Sequence, residues 1–507
     1  LNDKKSPHPI EHEGFLSWHE TWAGEVSPLR EIDLGKMSGK AISEYLKNFK
    51  EKEGFKSPSA GGLAETLKKV VENDPNKFSK EIFEYVDIPF IYRHALIDGF
   101  TKAWIDKKQF DWENVLIYIR KSLKSTKKED HEKGFDYNEW FIAQVCKMIE
   151  EGTQFDDNAF DGKLLPLAKE VLLLISSRIE GSKIRNDDYM TFTLNSTKGK
   201  MLEAMFHYSL RKARVEKKKE WDKEISELFK TELENNPSVE LHTLLGHYLI
   251  NFLFLDEKWV KGSIKVIFPI DKEKVPLLHA AMSGYFFHPH LYGNFYTMLR
   301  DTGAYSSLLT TWKENSDFLR EKLVAHICLA YAEGWEPIDG DLMKSLIGDK
   351  SSHKEIVHFF SINSKHLKAS YKPKIKLLWE RIFLENKDTN KKILGELTDW
   401  LPLFEKIDDE LFLWSKEGAK HIKPYWDTYS FVETLAKFVD SEPKKVGELF
   451  WSLIENADFV PDYKTEDIIK IVTTLYQKKE KAIADKLCNQ YGAKGTDLLR
   501  KIYAENQ

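Results

Sequence analysis

Apolar residues recur every three or four positions along most of this chain, with polar and charged residues between them. In the segment 38–49, for example, they stand at Ala41, Ile42, Tyr45, Leu46 and Phe49. This spacing places them on one face of an α-helix. The pattern repeats in segment after segment, joined by short polar loops, and predicts roughly twenty-five amphipathic helices.

Two stretches depart from this pattern. Residues 1–40 carry three prolines and several glycines and are expected to be irregular. The segment Ile264–Phe268 is the one predicted short strand. We therefore divide the chain into an irregular N-terminal segment, 1–40, an N-terminal helical subdomain, 41–190, and a helical-repeat solenoid, 191–507.

The succession of short helices predicts the fold class. Helical pairs joined by short loops stack on one another and form solenoids. The tetratricopeptide motif does not recur at its fixed period, so the stack is expected to be irregular. The prediction is an all-α, irregular α-solenoid of stacked helical hairpins, similar in kind to tetratricopeptide or HEAT arrays.

Composition narrows the classes of partner. The chain has 507 residues, of which 42% are hydrophobic, enough for a large buried core. Its net charge is only −5, so no overall basicity points to DNA or RNA. We therefore expect no direct nucleic-acid partner.

Cysteine usage and the absence of a signal pattern predict a cytoplasmic protein. Cys146, Cys328 and Cys488 lie far apart, which excludes a Cys-x-x-Cys metal site and a dense disulfide framework. The longest apolar run, Leu244–Leu255, is interrupted by polar residues and is too short to span a bilayer. We therefore expect no membrane partner. The first residue is Leu rather than Met, so we expect the chain to be part of a longer protein.

The stretch 194–214 invites a search for a nucleotide site because it contains Gly199-Lys200. A phosphate loop needs a glycine five residues before that Gly and a Ser or Thr after the Lys. Leu194 and Met201 occupy those positions, so both requirements fail. The stretch instead predicts a helix start capped by Asn195 or Ser196.

Other catalytic and metal patterns are also missing from the sequence. His242 and His247 are five residues apart, which does not place both on one helix face. The two histidines of the segment 288–290 lack a neighbouring acid or cysteine. Neither Gly-x-Ser-x-Gly nor His-Glu-x-x-His occurs. We therefore predict no catalytic, cofactor-binding or metal residues, no cofactor, and no enzyme activity in this chain.

One dense aromatic cluster is a candidate for partner binding. At helical spacing most of its members are expected in the core, but any that are exposed would suit a protein–protein hot spot. The candidate partner-binding residues are Tyr285, Phe286, His288, His290, Tyr292 and Tyr296.

Three patches of sequence share a pattern with one family. The first, within 17–78, reads SWHETWAGEVSPL, KMSGKAISEYLKNF and FKSPSAGGLAETLKKVVENDPNKF. The second, at 194–214, reads LNSTKGKMLEAMFHYSLRKAR. The third starts at Leu244 with LLGHYLINFLFLDEKWVKGSIKVIFP and continues later with REKLVAHICLAYAEGWE and KIKLLWERI. Together they resemble the C-terminal sensor region of bacterial antiviral STAND NTPases of the Avs type.

This resemblance implies a function in defence against phages. In that family such a region is a helical-repeat sensor for a conserved phage protein, the large terminase subunit or the portal. A central ATPase then oligomerises and activates an attached effector. This chain has no ATPase or effector motif, and no residue-level recognition motif carries over. The resemblance therefore implies a non-catalytic sensor region in a protein that oligomerises on activation.

Alternative functions remain open from the sequence. One is an armadillo-like scaffold that binds host proteins. Another is a helical region attached to a sirtuin-like NADase of phage defence. A third is an enzyme whose site has no recognisable motif.

Overall fold

The structure, a computed structural model, describes residues 25–51, 57–124, 136–181, 188–288, 290–311, 316–424 and 426–507. These residues form 27 α-helices and short 3₁₀ helices, without a β-strand. A single isolated bridge in the described ranges pairs Val26 with Pro58. The all-α prediction is confirmed. No helix in the described part of the chain is both long and apolar enough to cross a bilayer.

The chain divides into two compact units, residues 1–262 and 263–507. The border predicted at 190/191 falls inside the first unit. Residues 1–24 of the segment predicted to be irregular lie outside the described residues, and residues 31–36 of it form a short helix.

The first unit contains helices α1 to α12 and most of α13. They are α1 (Glu31–Lys36), α2 (Gly39–Asn48), α3 (Ala60–Asn73), α4 (Pro75–Lys80), α5 (Phe90–Ile105), α6 (Trp112–Lys124), α7 (Tyr137–Glu151), α8 (Leu165–Ser176), α9 (Tyr189–Asn195), α10 (Thr197–Glu216), α11 (Lys223–Asn235), α12 (Val239–His247) and α13 (Leu249–Ile267).

Most packed pairs in this unit join helices that are two apart along the chain. Helices α1, α3, α5, α7 and α10 follow one another, and α4, α6 and α8 form a parallel series that also reaches α10. Helix α5 is buried along nearly its whole length, since its neighbours cover it on several sides. This order of contacts is that of stacked helical hairpins, as the sequence predicts.

The second unit continues from α13 through α14 to α27. Its helices are α14 (Val275–Phe286), α15 (Gly293–Thr302), α16 (Ala304–Thr310), α17 (Asp317–Glu333), α18 (Asp341–Gly348), α19 (His353–Ile362), α20 (Lys372–Asn386), α21 (Lys391–Leu397), α22 (Asp409–Ala419), α23 (Trp426–Phe438), α24 (Pro443–Ile454), α25 (Thr465–Gln477), α26 (Lys481–Ala493) and α27 (Arg500–Glu505).

Most helices of the second unit also pack against helices two apart along the chain. One row runs through α14, α17, α19, α21, α22, α24 and α26, and a second contains α16, α18 and α20. Trp379 on α20 and Trp400 in the 3₁₀ helix Thr398–Leu403 are fully buried in the core of this unit. The Trp400 indole N–H donates to the Val357 carbonyl at 2.9 Å, which satisfies its one polar atom.

The predicted strand Ile264–Phe268 is wrong, because residues 264–267 form the end of helix α13. Ile264, Ile267 and Phe268 are buried while Val266 is exposed, which is the three-and-four spacing of a helix face. Helix α13 is kinked at Asp256, whose backbone is not helical. The Asp256 carboxylate accepts the Trp259 N–H at 2.9 Å and so caps the second half of the helix.

Candidate functional site

The stretch that resembles a phosphate loop is a tight junction between α9 and α10. Ser196 precedes α10, and its hydroxyl accepts the Gly199 N–H at 2.9 Å, which confirms the predicted cap. A Cβ at Gly199 would lie 1.9 Å from the Thr193 carbonyl oxygen. Glycine is therefore required here by the close approach of two backbone segments.

Lys198, next to this glycine, forms an ion pair. Its side chain is 1% exposed, and its ammonium lies 2.6 Å from the Glu232 carboxylate on α11. Lys198 is not at the lysine position of a phosphate loop, which Lys200 would occupy, and its ion pair connects α10 to α11. The geometry therefore agrees with a structural role for this stretch.

One turn further along α10, Glu203 and His207 lie four residues apart and share a helix face. Glu150, in the last turn of α7, lies against them. One donor atom from each of the three side chains lies within 4.8 Å of the other two. Glu203 and His207 are buried, and Glu150 is half-buried. We name these three residues the Glu–Glu–His cluster.

Tyr248, between α12 and α13, closes one side of the Glu–Glu–His cluster. Its hydroxyl donates to Glu203 Oε1 at 2.5 Å and lies 3.4 Å from His207 Nε2. Phe206 stacks on the Tyr248 ring at a centroid distance of 4.1 Å, and His207 meets the same ring edge-on at 5.5 Å. These ring contacts hold the hydroxyl in place.

Burial shifts the pKa of each residue in the Glu–Glu–His cluster. Burial, together with the nearby Glu203 charge, raises the pKa of Glu150 to about 8. Burial also raises the pKa of Glu203, although the Tyr248 hydrogen bond opposes this shift. Burial lowers the pKa of His207 to about 4, so the imidazole is neutral at pH 7. The 4.0 Å approach of His207 Nε2 to Glu150 is therefore neither an ion pair nor a hydrogen bond.

No described lysine or arginine neutralises the two carboxylates by direct contact, since no such ion pair with Glu150 or Glu203 lies within 4.0 Å. Lys200 and Lys147 act on Glu150 only through the longer-range field. The cluster thus offers carboxylate oxygens and one imidazole nitrogen in a largely buried position, with partial access from solvent beside Glu150 and Tyr248.

Sequence reasoning missed this cluster. The spacing of Glu203 and His207, four residues apart on one helix face, could have identified these two members from the sequence. Glu150 and Tyr248 are far away in sequence and join the site only through helix packing, so no local motif marks them.

The predicted partner-binding residues separate into two groups. Tyr285, Phe286 and Tyr296 are buried, so they have no surface to offer a partner. His290 and Tyr292 are exposed and His288 is half-buried, in the turn between α14 and α15.

Phe287, which is not among the predicted partner-binding residues, belongs to the same exposed group and is 53% exposed. Around it, the rings of His288, His290 and Tyr292 lie within 5.9–6.3 Å of one another. We name Phe287, His288, His290 and Tyr292 the aromatic turn. The His288 imidazole Nδ1 accepts the His290 backbone N–H at 3.2 Å, which orders the turn locally.

Comparison with known proteins gives no neighbour: no family model, no curated protein and no solved structure matches this chain.

Proposed function

We propose that this chain is the non-catalytic sensor region of a cytoplasmic anti-phage defence protein. It would bind a conserved phage protein, the large terminase subunit or the portal, and so trigger an attached ATPase and effector. The specific partner comes from the resemblance of the three sequence patches to STAND NTPase sensor regions. The observation that supports a binding role is the aromatic turn.

The aromatic turn has the composition of a protein-binding hot spot. Phe287 and Tyr292 are 53% and 44% exposed, and two imidazoles lie between them in sequence. Aromatic side chains are enriched at the centres of protein interfaces, because they bury a large apolar area with little loss of rotamer entropy. No described Lys or Arg lies in the turn itself, which favours a protein surface over nucleic acid as its partner.

The stacked helices suit the same role. Within each unit, successive helices present rows of solvent-facing side chains, and repeat proteins use such rows to bind large surfaces. Gly199 is required for close backbone packing, and in the family that the sequence resembles ATP is hydrolysed by a separate central ATPase.

Direct binding to purified phage proteins tests the proposal. The chain would be immobilised and exposed to large terminase subunit and to portal from several phages, with affinity measured by biolayer interferometry. We expect one of the two to bind. The double variant Phe287→Ala, Tyr292→Ala should weaken binding by tenfold or more, because hot-spot truncations cost about 2 kcal/mol or more.

Phe155→Ala is the matched control, since Phe155 is an equally exposed phenylalanine in the first unit. It should leave the affinity unchanged. If neither phage protein binds, the sensor proposal fails. If one binds and the double variant binds equally well, the partner is right and the aromatic turn is not its contact. Stable partners captured only from uninfected cells would favour the host-scaffold alternative.

The absence of catalysis is a separate part of the proposal. The purified chain should show no ATP turnover above buffer, and measurable hydrolysis that survives further purification would contradict it. The full-length protein is expected to oligomerise when the sensor is occupied, which size-exclusion chromatography with and without the phage protein would detect.

A further inference from the structure

We propose that Glu150, Glu203 and His207 form a binding site for one divalent first-row transition-metal cation, such as Zn²⁺ or Mn²⁺. The proposal is independent of the sensor function, because it concerns the first unit alone and needs no phage protein.

Convergence of donor atoms is the first argument. Ligand atoms held at about 2.1 Å from one cation lie about 3.0–3.4 Å from one another in tetrahedral or octahedral geometry. In the Glu–Glu–His cluster the three donors already lie within 4.8 Å of each other. Glutamate side chains have three rotatable bonds, so side-chain rotation is the adjustment by which a cation would draw these donor atoms closer together.

The environment is the second argument. Buried carboxylates are normally paired with a cation, because an uncompensated charge in the interior is costly. Here, no described Lys or Arg contacts either glutamate, and the short donor to Glu203 is the Tyr248 hydroxyl. Two carboxyl groups side by side without a basic side chain in direct contact leave oxygens that a divalent cation could bind.

The supporting contacts are the third argument. Metal-bound carboxylates are usually held by a hydrogen bond from a neighbouring group. Tyr248 makes this bond to Glu203 at 2.5 Å, and its ring is fixed by Phe206 and His247 at 4.1 and 4.5 Å. The donor to Glu203 is therefore already oriented before any cation enters.

The chemistry of the donors selects the class of cation. Two carboxylate oxygens and one imidazole nitrogen suit Zn²⁺, Mn²⁺, Fe²⁺ or Co²⁺. Calcium would need six to eight oxygen ligands, and Mg²⁺ prefers to keep most of its waters. Three protein ligands also leave at least one position for water, on the side where Glu150 is half-buried.

Metal titration of the full chain tests this site. Chelator-treated protein would be titrated with Zn²⁺ by calorimetry, and with Co²⁺ while its visible d–d absorption is recorded. We expect one Zn²⁺ per protein chain and a Co²⁺ absorption spectrum typical of nitrogen and oxygen ligands. Glu203→Gln, His207→Gln and Glu150→Gln should each weaken binding at least tenfold, because each keeps the side-chain volume and removes one ligand.

Two controls make the result specific. Glu336 is another buried glutamate, and its carboxylate accepts the Tyr296 hydroxyl at 3.2 Å, but no histidine lies beside it. Glu336→Gln should therefore leave Zn²⁺ binding intact. His288→Gln with His290→Gln removes the imidazoles of the aromatic turn, which are the obvious competing surface ligands. This double variant should also retain the Zn²⁺ site.

The proposal is overturned if the wild-type chain takes up no Zn²⁺, if Ca²⁺ binds more tightly than Zn²⁺, or if binding is lost in the His288/His290 variant and kept in His207→Gln. Circular dichroism would show which variants are folded. If Glu203→Gln does not fold, Glu150→Gln decides the question, because the half-buried Glu150 tolerates an isosteric amide more readily.

Discussion

Replacing Gly199 by alanine should destabilise the chain, although alanine is the better helix former. In an ordinary helix position the exchange stabilises by about 1 kcal/mol. At Gly199 the new Cβ would lie 1.9 Å from the Thr193 carbonyl oxygen, whereas real Cβ atoms essentially never approach within 3.0 Å. The α9–α10 junction must therefore open by about 1.1 Å, the difference between these distances.

The magnitude follows from the contacts that this opening disturbs. Overpacking of this kind costs about 1–3 kcal/mol. The Ser196 cap on the Gly199 N–H, at 2.9 Å, is also weakened, and a cap is worth about 1 kcal/mol. After subtraction of the helix-propensity gain, Gly199→Ala should lower the free energy of unfolding by about 1–3 kcal/mol.

The control is Gly262→Ala, also within a helix, where a Cβ meets no atom within 4 Å. It should raise stability by up to about 1 kcal/mol. Urea unfolding followed by circular dichroism, with hydrogen exchange of the α9–α10 peptides, would measure both variants. A neutral or stabilising Gly199→Ala would refute the close-approach explanation and reopen a functional reason for this glycine.

Two further predictions concern buried charge. Glu232→Ala leaves the Lys198 ammonium, only 1% exposed, without its partner and should lower the free energy of unfolding in urea by about 3–5 kcal/mol. Lys198→Met leaves a carboxylate that water reaches and should lower it by only about 1 kcal/mol. Equal losses for the two variants would contradict this asymmetry. Burial lowers the pKa of His326 to about 3, below the unfolded value near 6.5, so its stabilisation is present above pH 6.5 and is lost as pH falls towards 3. Between pH 6.5 and pH 5, wild type should therefore lose about 2 kcal/mol of stability relative to His326→Gln. A pH-independent difference would show that folding does not shift the pKa of His326.

Local sequence pattern was enough to predict most of the helices, because most carry an apolar stripe and often a cap of their own. Ser196 is the example: its hydroxyl caps α10 as expected. The pattern did not predict α1, which lies in the segment expected to be irregular, or α9. The pattern failed at Ile264–Phe268, where a short apolar run is ambiguous between strand and helix and packing decides.

The candidate site was less predictable, because its members come from separate helices. Glu203 and His207 are marked by their spacing, but Glu150 joins them only when α7 packs on α10. The aromatic cluster shows the same limit: composition identified the segment, but only the fold separates the buried Tyr285 from the exposed Phe287.

The buried residues Tyr285, Phe286 and Tyr296 flank the exposed residues of the aromatic turn. Tyr285 and Phe286 end α14 with their rings packed on His326, at 5.5 and 4.6 Å, and Tyr296 on α15 packs on Tyr305 at 4.9 Å. The aromatic turn is thus anchored in the core on both sides. A partner that docks on Phe287 or Tyr292 meets side chains next to core-anchored residues, so association should lose less conformational entropy than docking on a free loop.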